Sequence, residues 1–386
     1  MSAIKYHQLA PQNDNQNGFS QFSQITFELG VDGRLLKPNS VCLDFQLEAE
    51  SAAGTRVVNT DAIRADHVVG MHSFIGDITV ENPSGQLEHI NEYPRFYKSV
   101  KSLTEDSGSV FSLMAQAEGR DAIADAANSR LQLQGSKSTD GKNAAFNTSA
   151  FRQPNYSIKP LCCLNRTVAV QGAGYSFSDN GNITLTFSLQ RDGLSFYGQD
   201  MSANANYRLT NVRLRFSTIP DPGASKRPKL VMNSVVNVKQ TAQSQQTSID
   251  ARVPAAACNG VIMNFLRQDK EGDLVSNNNA LEQFPLLDRI SYRLNDSVSG
   301  YITYDLETRE EFVNNALKVM GDAGFNQVHA RNIWSGENYI IGASFDRYIS
   351  LEQNKFTVDL HSSSNNLSAA GRGYIAYLYF MTLITV

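Results

Sequence analysis

The sequence predicts an all-β protein of two successive sandwiches, each with a short helix after an early hairpin. Three observations predict it: period-two hydrophobic alternation, a composition rich in amides and hydroxyls, and a repeated order of strand, turn and helix. Of 386 residues, 41% are hydrophobic and only 19% charged, so a core is available and the surface is polar without being highly charged. Asn alone supplies 33 residues. Amide and hydroxyl side chains compete for backbone hydrogen bonds, which favours turns and strand connections over helix interiors. A helical bundle is disfavoured. Length alone favours two domains of roughly 150–200 residues each.

Residues 1–20 read as a polar N-terminal arm, because Gln12 to Gly18 has neither apolar periodicity nor the apolar stretch of a signal peptide. Residues 21–219 read as the first sandwich. Val41, Leu43, Phe45 and Leu47 alternate with polar neighbours, as do Ile183, Leu185, Phe187 and Leu189. Phe74 to Val80 leads through a turn (Asn82, Pro83, Gly85) to a helix over Pro94–Leu103, with Phe96, Tyr97, Val100 and Leu103 on one face. A long insertion, 104–160, follows and holds an Ala-rich, helix-compatible segment around Leu113–Leu131. Tyr207–Ile219, with Val212, Leu214 and Phe216 alternating, closes the sandwich. Pro220, Pro222 and Gly223 then make 220–225 a stiff linker.

Residues 226–386 repeat the order. Leu286 to Tyr292 leads through Asn295, Asp296 and Gly300 to a helix over Arg309–Met320. Thr308 and Glu311 form a capping box, and Gly321 stands where a C-terminal cap belongs. Phe356, Val358 and Leu360 alternate, and Tyr374–Val386 reads as a buried closing strand.

Charge narrows the function. Lys and Arg number 34 against 38 Asp and Glu, and the densest basic run, Lys226-Arg227-Pro228-Lys229, is short, so direct nucleic-acid binding is not expected. Tyr374–Val386 is the most apolar run and falls short of the roughly 20 residues of a membrane span. Cys42, Cys162, Cys163 and Cys258 form no C-x-x-C. The adjacent pair would alternate faces on a strand, placing one thiol in a core, and a reducing compartment fits.

No constellation carries chemistry. Gly371, Gly373 and Ala376 fit G-x-G-x-x-A, but a strand follows where the dinucleotide fingerprint needs a helix. Asp305, Glu307, Glu310 and Glu311 read as favourable charge at a helix start. Asp269, Glu271 and Asp273 lack the spacing of a calcium loop. His67 and His72 read as loop or strand-edge residues, and Trp334 as core or interface packing. No G-x-S-x-G elbow occurs. The sequons at Asn147, Asn165, Asn182, Asn295 and Asn366 are what chance gives in so Asn-rich a chain. The reading is no enzyme, with no catalytic, cofactor-binding or metal residue and no cofactor.

This architecture resembles the double jelly-roll major capsid proteins of the tectivirus–corticovirus–adenovirus lineage of tailless icosahedral viruses, often with an internal membrane. The local match runs from His72 through Ile78, Val80, Gly85 and Gln86 to Ile90 and Tyr93: strand, polar turn with glycine, helix. The resemblance covers nearly the whole chain and is architectural. It implies two successive jelly-roll β-sandwiches and a major capsid protein that trimerises into pseudo-hexagonal capsomers tiling a virion shell, assembled in the host cytoplasm. The implied partners are the chain itself, in a homotrimer and in neighbouring capsomers, minor capsid or penton proteins, and an internal membrane where the virion has one. Thr104–Pro160 and Asn259–Pro285 become candidates for an outer tower or for contacts between tiles. The alternative is a two-domain carbohydrate- or receptor-binding sandwich protein, a viral spike or lectin-like adhesin, which shares the alternation and the Asn/Ser-rich loops.

Overall fold

The computed structural model describes residues 4–386 apart from 14, 54, 57–62, 106–116, 121–154, 168–171, 243, 256, 285, 297–299, 325–337, 353 and 364–372. Among the described residues, strands of four or more residues fall into two sets of eight. The first set is β1 (Lys5–Leu9), β2 (Gln24–Leu29), β3 (Cys42–Ala52), β4 (Ile75–Asn82), β5 (Gly85–Ile90), β6 (Asn155–Ile158), β7 (Ile183–Leu189) and β8 (Asn206–Pro220). The second is β9 (Val231–Ala242), β10 (Gln246–Ala251), β11 (Cys258–Arg267), β12 (Leu287–Asp296), β13 (Gly300–Leu306), β14 (Ile341–Ile349), β15 (Phe356–Ser362) and β16 (Tyr374–Thr385).

Both sets pair in the same order. The first gives sheets β1-β8-β3-β6 and β2-β7-β4-β5; the second gives β9-β16-β11-β14 and β10-β15-β12-β13. All these pairings are antiparallel. Two four-stranded sheets wound in this order make a jelly roll, and the chain is a double jelly roll.

Alternation places the cores. Leu43, Phe45, Leu47 and Ala49 of β3, with Ile183, Leu185, Phe187 and Leu189 of β7, point into the first roll and are buried. β16 behaves differently, being buried on both faces from Tyr374 to Met381. Tyr374, Ala376, Leu378 and Phe380 enter the core of the second roll, while Ile375, Tyr377, Tyr379 and Met381 enter the core that extends from the first. That double burial explains why the closing stretch is an unbroken apolar run. A bulge in β8 between Thr210 and Arg213, with Asn211 at φ 51°, shifts the register where β8 crosses β3.

Each hairpin is followed by a helix, α1 (Tyr93–Thr104) and α2 (Arg309–Asp322). Thr308 and Glu311 form the capping box. The expected cap at Gly321 is displaced: the helix runs on to Asp322, and the left-handed glycine is Gly324 at φ 78°. α2 lies close on its sheet because Gly342 has no side chain; a Cβ there would stand 2.7 Å from Ala316 Cα.

Four further expectations are corrected. Residues 5–9 of the expected polar arm form a strand, β1, laid antiparallel on β8 with His7 stacked on Phe216 at 4.9 Å. Only His7 and Leu9 face inward with any apolar surface, too little alternation to show in the sequence. The expected insertion 104–160 contains β6, a core strand whose Tyr156 and Ile158 are buried. Asn259 to Arg267 is no outer excursion but β11, central and almost wholly buried. Cys162 and Cys163 do not alternate on a strand; both are buried at a single 3-10 turn. Of the Ala-rich segment at 113–131, only residues 117–120 are described, and Trp334, Gly371, Asn147 and Asn366 lie outside the described residues.

Candidate functional site

Among the described residues a dense polar cluster lies in the seam between the rolls. α1 crosses this seam with Tyr93, Phe96, Tyr97, Val100 and Leu103 buried, and it also buries Arg95 and Lys98. Arg95 donates five hydrogen bonds into the second roll: two to Asn264 Oδ1 (3.1 and 3.0 Å) and one each to the carbonyls of Asn278 (2.7 Å), Phe265 (2.8 Å) and Ala280 (2.9 Å). Its guanidinium also lies 4.4 Å from the centre of the Tyr377 ring. A planar fork of donors suits this task, since it satisfies several fixed acceptors at once.

Two buried ion pairs flank it. Lys98 Nζ meets Asp66 Oδ2 at 2.6 Å, and Asn277 of the second roll donates to the same oxygen at 2.7 Å. The backbone N–H groups of Val68 and Val69 satisfy Oδ1. Burial alone would raise the Asp66 pKa, but the Lys98 and His67 charges and the bonds from Asn277 and Lys98 hold it well below the usual carboxylate range. Glu88 of β5 pairs with Arg166, accepts from Cys163 N at 2.5 Å, and accepts from Val235 N of β9 at 2.9 Å. Each node thus joins one roll to the other.

A fourth node anchors residues 117–120. Burial would raise the Glu118 pKa, but His72 and Arg120 bring it down to about 2. Glu118 accepts from Tyr97 Oη (3.1 Å) and Arg120 Nε (2.9 Å), and Arg120 also reaches Glu105 at 2.5 Å. His72 is fully buried, stacked on Tyr97 at 3.8 Å, with Nδ1 2.8 Å from Tyr93 Oη and Nε2 3.4 Å from Glu118 Oε1. Burial lowers its pKa from that of a free imidazole, against the opposing pull of Glu118. The expected loop or strand-edge place for His72 is therefore wrong, because it sits in a 3-10 turn under α1; His67 lies in the turn just before it.

The residues weighed for chemistry do not come together. Glu311 accepts from Thr308 N and Glu307 N as a cap. Asp269 pairs with Arg267, Glu271 with Lys239, and Asp273 with Ser276, each a separate local contact. Burial pushes the thiols of Cys162 and Cys258 up to about 12, so neither is a nucleophile at neutral pH. Asn165 is committed to Val41 and Pro160, and Asn182 to Glu28. Among the described residues no group of three or more His, Cys, Asp or Glu is placed to hold a metal. No helix described is long and apolar enough to cross a membrane.

Sequence reasoning misses Arg95, Lys98, Asp66, Glu88, Arg166 and Glu118. The available signal is α1 itself, where Arg95 and Lys98 interrupt an already apolar helix, but charge is ordinarily read as exposure.

Comparison with known proteins matches this geometry to a fold. No protein-family model matches the sequence, and no curated protein matches it significantly. Solved structures do match over the whole length. The Faustovirus major capsid protein is 7% identical, with all of this chain and 91% of that one covered, at a TM-score of 0.56. PBCV-1 VP54, fitted into a reconstruction of the virophage Sputnik, is 8% identical, with 100% and 95% covered and a TM-score of 0.55. A chain of the Sputnik virophage structure is 10% identical, with 99% and 86% covered and a TM-score of 0.54. At such identities the likeness is one of fold: the tandem jelly roll, end to end.

Proposed function

We propose that the chain is a major capsid protein, a structural subunit that forms homotrimeric, pseudo-hexagonal capsomers and tiles an icosahedral shell. The observation that carries this reading is the tandem of two jelly rolls locked into one body by a polar seam, a fold shared over its full length with the Faustovirus major capsid protein. Two like rolls per chain give three chains six like walls, the shape a hexagonal tile needs. In this reading the role is structural: Arg95, Asp66 and Glu88 each bond across to the second roll, and Lys98 pairs with Asp66 beside them. Its partners in this reading are copies of itself, minor capsid or penton proteins at the vertices, and a membrane where the virion holds one. Its place is the shell of the virion.

Light scattering on a sizing column tests the reading. A chain of 42.6 kDa should elute as a species of about 128 kDa that persists on dilution, as closed threefold association requires. A monomer across the accessible concentration range would overturn it.

A further inference from the structure

The seam inside one chain is a template for a joint between chains. Strand for strand, β9 in the second roll corresponds to β1 in the first, and β13 with α2 corresponds to β5 with α1. Within the chain, β9 lies along the end of β5 and the start of α1. Ser234 Oγ donates to Leu87 O (3.2 Å), Val235 N to Glu88 Oε1 (2.9 Å), and Asn237 and Asn91 exchange two bonds (3.0 and 3.1 Å). Lys239 Nζ stands 3.5 Å from Glu92 Oε1 at the helix start.

Among the described residues, the corresponding surfaces elsewhere on the molecule carry exposed side chains. On the outer side of β1, Tyr6 is 83% exposed, and Ile4 just before the strand is 42% exposed. Thr303, Asp305 and Glu307 are exposed along β13 and the turn after it. The helices differ in the same sense: α1 buries even Arg95 and Lys98, whereas α2 leaves Glu310, Glu311, Asn314 and Lys318 exposed.

We infer that these two exposed surfaces are the halves of one subunit joint, the outer side of β1 in one copy packing on β13 and the start of α2 in a second copy. Charge agrees. Residues 4–9 carry Lys5 and no carboxylate, and Arg34 adjoins them through Thr218. The facing surface carries Asp305, Glu307, Glu310 and Glu311 against Arg309. This is the polarity of the internal seam, where Lys239 of β9 faces Glu92 at the start of α1. Complementary charge aligns such surfaces, and a large amphipathic ring such as Tyr6 is the residue type that anchors them. The joint is heterologous, each copy offering one half in each roll, so it closes only as a ring.

The inference rests on the trimer reading and names its contact surface, and one experiment separates the two. Tyr6 is replaced by photoreactive benzoylphenylalanine in the full-length chain, which is irradiated after its mass has been measured by light scattering. Covalent dimers and trimers on a denaturing gel, with crosslinked peptides joining position 6 to residues 303–311, are the expected result. A trimer whose position 6 crosslinks elsewhere or not at all would overturn the joint and leave the trimer standing. A monomer would overturn both.

Discussion

Glu118 is one carboxylate with a measurable part in stability. Its folded pKa of about 2 lies below the ordinary 4.5 because His72 and the Arg120 and Lys101 charges outweigh the cost of burying it. A depressed carboxylate stabilises the fold fully above its unfolded pKa and loses that contribution as the pH falls through the folded value. Each tenfold difference in proton affinity between the two states corresponds to about 1.4 kcal/mol. Glu118→Gln should therefore destabilise the protein at pH 7 by a few kcal/mol, and by less at pH 3. Urea midpoints for wild type and variant at the two pH values read this directly; a gap that does not narrow on acidification would contradict it. Such residues are not legible in the sequence. Arg95 and Asp66 look like surface charges until the amides that hydrogen-bond them, more than 160 residues away in Asn264 and Asn277, are brought alongside.

At the scale of elements, length and periodicity decide what is readable. β3, β7 and β15 show clean alternation because each has one face on a core, and α2 announces itself through Thr308 and Glu311. β1 and β6 leave no such mark because four or five residues do not establish a period, and both rely on long partners, β8 and β3, for their place. β11 reads as a polar excursion because Asn259 and Asn264 interrupt it. Asn264 is buried to receive Arg95, and Asn259 donates to the end of α2. β16 is buried as its apolar run requires, and burial on both faces sets the strength of the test. Leu378 and Phe380 are both 0% exposed, with Phe380 edge-on to Phe356 at 5.4 Å. Phe380→Asp would place an unpaired charge in the second core and should abolish soluble folded protein. Normal yield with an unchanged melting curve would refute the assignment.

For the whole molecule, the repeat is visible in the order of strand, turn and helix, but the bond between its halves is not. One continuous apolar cluster runs from the first roll through α1 and α2 to Ile375, Tyr377 and Tyr379 of β16, and the polar nodes are threaded through it. Separate domains ordinarily keep cores of their own, whereas here one cluster is shared by both rolls. The rolls are therefore held at a fixed angle, which a tile requires if six walls are to meet. The claim that this rigid pair is a shell tile is tested most directly by electron microscopy of the purified chain. The account predicts class averages of compact threefold particles with a six-lobed, nearly hexagonal outline. Isolated two-lobed particles, or open chains of them, would contradict it.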